Sequence, residues 1–319
     1  PRNRSSGPYT VTQSVADYLA EHLEGKPSYY EIKTRLEAYA LPTFGDTPVA
    51  DLTAEELRRW HKAIAKQGAR VRSPRGTPQS YRALSNAEDV RKRQSSANRC
   101  LSHLKSCLNY AWREKKVTCD RDWMRVQPFK GVDVPRQRYL SMAECKRLIN
   151  ASEGDFRSLV RAALETGARY QELARLRVSD FSRDAGTLHV RKSKSHKARH
   201  IVLTEEGQTF FANLAAGRPG PAPLLGREWS KGQQTGPMKA TCAQAHIVGA
   251  TFHTLRHTWA SHAVMGGIPL PVIATNLGHV DTRMVESHYG HLAPSYVADT
   301  IRASAPRYGL AETSKVTVL

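Results

Sequence analysis

The chain has 319 residues, 40% of them hydrophobic, and carries 48 lysines and arginines against 29 acids, a formal net charge of +19. That length accommodates two domains of ordinary size, about 100–200 residues each, and no apolar run of roughly 18 residues exists to span a bilayer as a helix. Solubility asks for a net charge of only about 2–8, so the excess points to a polyanionic partner, most simply nucleic acid.

Five cysteines (Cys100, Cys107, Cys119, Cys145, Cys242) are scattered without a CxxC pair. Such a set fits a reducing cytoplasm and no disulfide framework. The N-terminus shows no apolar leader, and it opens on Pro1 rather than Met, which leaves room for a segment upstream.

In chain order, VTQSVADYLAEHLEG and YYEIKTRLEAYALP read as helices, the second ended by Pro42. DLTAEELRRWHKAI has Thr53 three residues before Glu56, a capping box. The basic stretch from Gly68 to Arg93 lacks an apolar period and is read as a loop. Its Arg91, Lys92 and Arg93 are candidate phosphate contacts. SSANRCLSHLKSCLNYAW restores helical order, with Leu101, Leu104, Leu108, Ala111 and Trp112 on one face. Lys105, Arg113, Lys115 and Lys116 fall outside that stripe and are further candidates for phosphates.

Residues 117–138 are aperiodic and rich in prolines and charges, which predicts a linker region. The expected organisation is a helical domain over 1–130, a linker over 131–138 and a second domain over 139–319. A second capping box, Ser141 and Glu144, opens that domain. A helix follows near Phe156–Leu164, burying Phe156, Leu159, Val160, Ala163 and Leu164. TLHV and RHIVLT flank the basic RKSKSHKA and predict a hairpin or small sheet with a strongly basic turn. Helices resume after Thr204, interrupted by the Gly/Pro-rich AAGRPGPAPLLG. The β-branched tail SKVTVL suits either pairing with a sheet edge or fraying.

The chemistry concentrates in TGARYQEL, VRKSKSHKARH, HTLRH, NLGHV and SHYGHL. HTLRH has the His spacing of a zinc helix, but Thr254 stands where the protease motif needs glutamate. Arg256 between the two histidines would repel a metal ion and attract an anion, so the reading is a phosphate site, with His257 a packing or hydrogen-bonding residue. Arg169, at a helix break after Gly167, and Arg256 can together bind both non-bridging oxygens of one phosphate. They would also offset the charge that builds in a pentacoordinate transition state. Tyr289, ten positions after His279, is the candidate nucleophile, activated by positive neighbours. Lys194 on the hairpin and His253 are candidate acids, and Glu172 is placed to orient His253 or an arginine.

The order Arg … Lys … His-x-x-Arg … His … Tyr resembles the tyrosine recombinase family, the phage-type integrases. TGARYQELARLRVSDF looks like the family's first box, and HTLRHTWASHAVMGG with LGHVDTRMVESHYGHL like its second. The resemblance runs from about residue 139 to about 304, with SSANRCLSHLKSCLNYAW similar to the family's helical core-binding domain.

It implies a mainly α fold with a small antiparallel sheet, in which a core-binding and a catalytic domain clamp duplex DNA. By the same resemblance Arg169 and Arg256 grip the scissile phosphate, and Lys194 protonates the leaving oxygen, with Lys192 and Lys197 beside it on the basic hairpin. His253 assists proton transfer, His279 supports the phosphate and Tyr289 attacks to form a 3′-phosphotyrosyl link. That link conserves the phosphodiester's energy, so neither ATP nor metal nor another cofactor is expected.

The implied function is integration and excision of a prophage or mobile element by a DNA-bound homotetramer, a bacterial or phage-encoded protein expected in the cytoplasm at the nucleoid. An accessory DNA-bending protein or excisionase is a further expected partner. The alternatives are a type IB topoisomerase-like enzyme, which shares the catalytic set, and a non-catalytic DNA-binding relative.

Overall fold

The computed structural model describes residues 7–74, 76–133, 138–191, 198–279, 281–290 and 302–306. The chain divides between residues 134 and 135 into two compact units. Among the described residues no helix is long and apolar enough to cross a membrane.

The first unit is helical. Thr10 caps α1 (Val11–Asp17) through a box with Gln13, and the helix widens into a π turn over Tyr18–His22. α2 (Tyr29–Tyr39) ends three residues before Pro42, which sits in the first turn of the short α3 (Leu41–Phe44). Proline is tolerated there because the first helical N–H groups have no intrahelical partner. The Thr53–Glu56 capping box opens α4 (Ala54–Lys66) as the sequence predicts. A two-residue ladder, β1 (Ala69–Arg70) against β2 (Tyr81–Arg82), then leads to the 27-residue α5 (Ala87–Arg113) and the short α6 (Arg121–Met124).

α5 is the spine of this unit. Leu101, Leu104, Leu108 and Ala111 are buried along one face, joined by Cys100 and Cys107. Each buried leucine contributes about 1.5–3 kcal/mol relative to an exposed one. α4 packs Leu57, Trp60 and Ile64 into the same core.

Three expectations are corrected here. Trp112 lies at the edge of the apolar stripe and is 41% exposed. The supposed loop up to Arg93 already contains the first two turns of α5, started by Asn86, whose side chain accepts from the Asp89 amide. Caps and residue propensity build those turns without an apolar face, so periodicity does not reveal them. The aperiodic stretch after residue 117 is partly core: Trp123 and Val126 are buried, and Trp123 Nε1 donates to Asn109 Oδ1 at 2.7 Å. Isolated anchors in irregular chain leave no period.

The second unit begins with α7 (Met142–Ala151), capped by Ser141 and Glu144, and α8 (Gly154–Thr166). α8 buries Phe156, Leu159, Val160 and Ala163, while Leu164 is only partly covered. Gly167, left-handed at φ 63°, ends α8 and sets the direction of α9 (Tyr170–Leu173). A three-stranded antiparallel sheet follows in the order β3 (Phe181–Ser182), β4 (Thr187–Val190), β5 (Arg199–Val202). Its register pairs Leu188 with Ile201 and Val190 with Arg199.

α10 (Glu205–Ala215), α11 (Thr235–Gln244), α12 (Phe252–Met265), α13 (Leu270–Leu277) and α14 (Arg283–Tyr289) complete the unit. The last three share a small apolar core of Ala260, Val264, Ile273, Leu277, Val285 and Tyr289. The hairpin tip with Lys192, Lys194 and Lys197, and the tail SKVTVL, lie outside the described residues.

Candidate active site

The site is organised by one helix end. α13 closes in a Schellman arrangement: the His279 amide donates to the Ala274 carbonyl at 2.9 Å and the Gly278 amide to Thr275 at 3.0 Å. Gly278 adopts φ 69°, the left-handed conformation this closure requires. The closure leaves the carbonyls of Asn276 and Leu277 without helical donors, at the negative end of the helix dipole.

Three arginines take them. Arg256 Nη2 donates to Leu277 at 2.7 Å, Arg169 Nη1 to the same oxygen at 3.4 Å, and Arg199 Nε to Asn276 at 2.9 Å. Arg256 Nη1 also donates to the Gly167 carbonyl at 2.9 Å. Gly167 has no room for a side chain, because a Cβ would lie 2.8 Å from both Leu277 and Trp259 atoms.

Glu172 ties two of the guanidiniums together, those of Arg169 and Arg199. It accepts from Arg199 Nη1 and Nη2 at 3.1 and 2.9 Å, from Arg169 Nη1 at 3.1 Å and from the Arg169 amide at 2.9 Å. Burial works against its charge, but the bonds and charges of Arg199 and Arg169 prevail and hold its pKa below the ordinary value. Among the described residues Glu172 is the carboxylate paired within this cluster, bonded to Arg169 and Arg199 while Arg256 bonds to carbonyls and His279, so three guanidiniums are set against one carboxylate and two positive charges stay uncompensated. Burial, then the Arg169 charge, lowers the Arg256 pKa to about 9, which leaves it a cation at neutral pH.

His279 is held neutral. Burial and the neighbouring Arg256 charge depress its pKa to about 4, and its Nε2 accepts from Arg256 Nη2 at 2.8 Å. A neutral ring accepting at Nε2 carries its hydrogen on Nδ1. That Nδ1 is buried and has no hydrogen-bond partner among the described residues.

Tyr289, the last residue of α14, is buried at 6% exposure. Burial pushes its phenol up to about 12, against the lowering pull of Arg256. Its oxygen lies 2.5 Å from His257 Nδ1. His257 stands one turn after His253 on α12, their rings perpendicular at 4.8 Å, and it stacks on His288 at 6.1 Å. His253 itself is exposed at the start of α12.

The second unit therefore brings together Arg169, Glu172, Arg256 and His279, places Tyr289 in the apolar core shared with the α13 terminus, and sets His253 one turn from the histidine that Tyr289 contacts. Arg199 escaped the sequence reading, and His257 was read as a packing or hydrogen-bonding residue without its partner. Arg199 had a legible signal, since it lies two residues before the buried Ile201 and shares its inward face. The identity of the His257 partner was not legible, because Tyr289 is 32 residues away.

In the first unit, two proposed phosphate contacts are corrected. Arg93 is 4% exposed, with Nε donating to the Gln67 carbonyl at 2.9 Å and its guanidinium 5.1 Å from the Tyr39 ring centre. Lys105 donates from Nζ to the Val126 carbonyl at 2.7 Å. Both turn inward because their long stems cover apolar surface while the charged ends satisfy otherwise unpaired carbonyls. Arg91 pairs with Glu88 at 2.7 Å and Lys92 with Glu88 at 3.4 Å; of the two, the Lys92 side chain is the more exposed, at 52%.

Residues 138–295 match the phage integrase family. The integrase of Salmonella phage P22 is 29% identical over 218 residues, covering 63% of this chain and 55% of that protein. The integrase of Escherichia phage P2 is 30% identical over 186 residues, covering 58% and 52%. Tyrosine recombinase XerD of Pseudomonas aeruginosa is 28% identical over 230 residues, covering 66% and 76%. The chain thus spans about half the length of the two phage integrases.

Among solved structures, the Tn1549 transposon integrase in complex with circular intermediate DNA superposes with a TM-score of 0.70 at 17% identity, covering 92% of this chain and 99% of that one. A lambda integrase dimer bound to a COC′ core site gives 0.66 at 17% identity, covering 86% and 97%. At such identities these two likenesses establish the fold.

Proposed function

This chain belongs to the phage integrase family of tyrosine recombinases, and on that premise we propose that it is a site-specific DNA recombinase working through a 3′-phosphotyrosyl intermediate. The observation that carries the reading is the guanidinium cluster on the α13 terminus, two positive charges in excess among the described residues, with a buried phenol in the apolar core that α13 shares. A phosphodiester supplies the missing negative charge, and its charge grows as the nucleophile adds.

In this mechanism Arg169 and Arg256 bind the non-bridging oxygens of the scissile phosphate. Glu172 and Arg199 keep the two guanidiniums on the helix end. His279, neutral, offers its Nδ1–H as a donor to the anion, a role that gives a partner to an atom lacking one here. Tyr289 Oη attacks phosphorus, the bond to the DNA 5′ oxygen breaks, and that oxygen takes a proton from Lys194 with the assistance of His253. Rejoining runs the same steps backwards.

The helical first unit serves as a DNA-binding module, with Arg91 and Lys92 among its phosphate contacts. The wider assignment is integration and excision of a prophage or mobile element by four copies on DNA, since the lambda integrase has been seen as a tetramer on a Holliday junction.

The test is covalent trapping on a nicked duplex that the wild-type chain selects from a randomised pool. The wild-type protein leaves an adduct that resists denaturant. Tyr289→Phe binds the same duplex with similar affinity and leaves none. An adduct that persists in Tyr289→Phe refutes the choice of nucleophile, and a wild-type protein that binds without ever forming one refutes the recombinase reading.

A further inference from the structure

The phenol of Tyr289 is a poor nucleophile as it stands. Burial holds its proton more tightly than in water, with a pKa pushed up to about 12, so it needs a group to take that proton as the bond to phosphorus forms. The proposed acids, Lys194 and His253, are assigned to the leaving oxygen, which departs opposite the attacking one in an in-line displacement. A base for the attacking side has to touch the phenol oxygen itself. Among the described residues the side chain bonded to it is His257, at 2.5 Å from Nδ1.

We infer that His257 is a catalytic residue: its Nδ1 accepts the Tyr289 proton during cleavage and returns it during rejoining. The inference rests on the recombinase reading of the site. In the forward step the Tyr289 Oη–H bond breaks and its proton passes to His257 Nδ1. The Oη–P bond forms, the bond from phosphorus to the DNA 5′ oxygen breaks, and that oxygen is protonated from the opposite side. In the reverse step the 5′ hydroxyl displaces Oη, which recovers its proton from the imidazolium. Histidine suits both directions because it gains and loses a proton near neutral pH.

The local build favours this role. His257 follows His253 by four residues on α12, so the two rings occupy one helix face, 4.8 Å apart. α14 packs on that face and delivers both Tyr289 and His288, whose ring stacks on His257 at an interplanar angle of 17°. The ring is thus confined from two sides with Nδ1 aimed at the phenol. An isolated packing histidine would not require a tyrosine oxygen at that nitrogen.

The experiment compares full-length wild type with His257→Asn and His257→Ala on the nicked duplex selected by the wild-type chain. Asparagine keeps a polar atom where Nδ1 was but accepts no proton. His257→Asn is expected to bind the duplex and melt as wild type does, yet to form the adduct about 100-fold more slowly or worse in single turnover. Imidazole added to His257→Ala is expected to restore much of the lost rate.

The inference is overturned if His257→Asn cleaves within about threefold of wild type or faster, which would make the contact a latch on the nucleophile. It is also overturned if His257→Ala is slow and imidazole gives no rescue. A wild-type protein that forms no adduct removes the recombinase reading and this inference with it, whereas wild-type cleavage with an unimpaired His257→Asn removes this inference alone.

Discussion

Replacing Glu172 by glutamine isolates the electrostatic role of the carboxylate that pairs with Arg169 and Arg199. The change preserves shape but removes the charge and turns one acceptor oxygen into an N–H donor. Whichever oxygen is replaced, that donor then faces the Arg199 fork, bonded here at 3.1 and 2.9 Å, together with the Arg169 guanidinium at 3.1 Å or the Arg169 amide at 2.9 Å. The side chain of Glu172 is only 3% exposed and that of Arg199 10%, so water does not screen the loss.

Breaking a buried pair by removing one partner costs about 3–5 kcal/mol, because the remaining charge stays buried and unmatched. At the smaller figure, a unit of this size melts about 6–12 °C lower. Thermal and urea unfolding of Glu172→Gln, Arg199→Met and the double variant measure it. The double variant should lose at least about 2 kcal/mol less than the sum of the single changes, since either single change already orphans the pair. A Glu172→Gln loss under about 1 kcal/mol, or strict additivity in the cycle, would show that the cluster is not held by this carboxylate.

Gly278→Ala should destabilise the second unit by about 1–3 kcal/mol, from forcing a side chain into the left-handed region, and should slow cleavage by pressing a methyl group 2.8 Å from Arg199 Nη1; unfolding curves and adduct formation read the two effects separately. His279 predicts a pH dependence. Burial and the Arg256 charge lower its folded-state pKa from 6.5 to about 4, so as the pH falls through that window the unfolded chain takes up a proton that the folded chain refuses. Stability therefore declines from near neutrality towards pH 4. The difference in melting temperature between wild type and His279→Gln, followed from pH 7 to pH 4, should shrink as the pH drops; a constant difference would contradict a neutral, arginine-bonded imidazole.

Much of this protein is written locally. The capping boxes at Thr53 and Ser141 and the strands around the basic hairpin were legible because caps and turns act over three or four residues. The set Arg169, Glu172, Arg256, His279 and Tyr289 was legible for another reason: those residue types in that order suit one chemistry. Failures came where structure is made without a period, as in the first turns of α5 and the buried Trp123.

What the sequence by itself determined is the inventory of groups: an excess of cations, a phenol, imidazoles, and the helices and strands that carry them. Tertiary structure decided how they are wired. It gave the free carbonyls of α13 to three arginines, matched two of them to Glu172, turned Arg93 and Lys105 inward, and set His257 against Tyr289. The physical reason is that a charged side chain follows whichever unpaired acceptor the packed chain leaves within reach, and those acceptors exist only once distant helices have closed against one another.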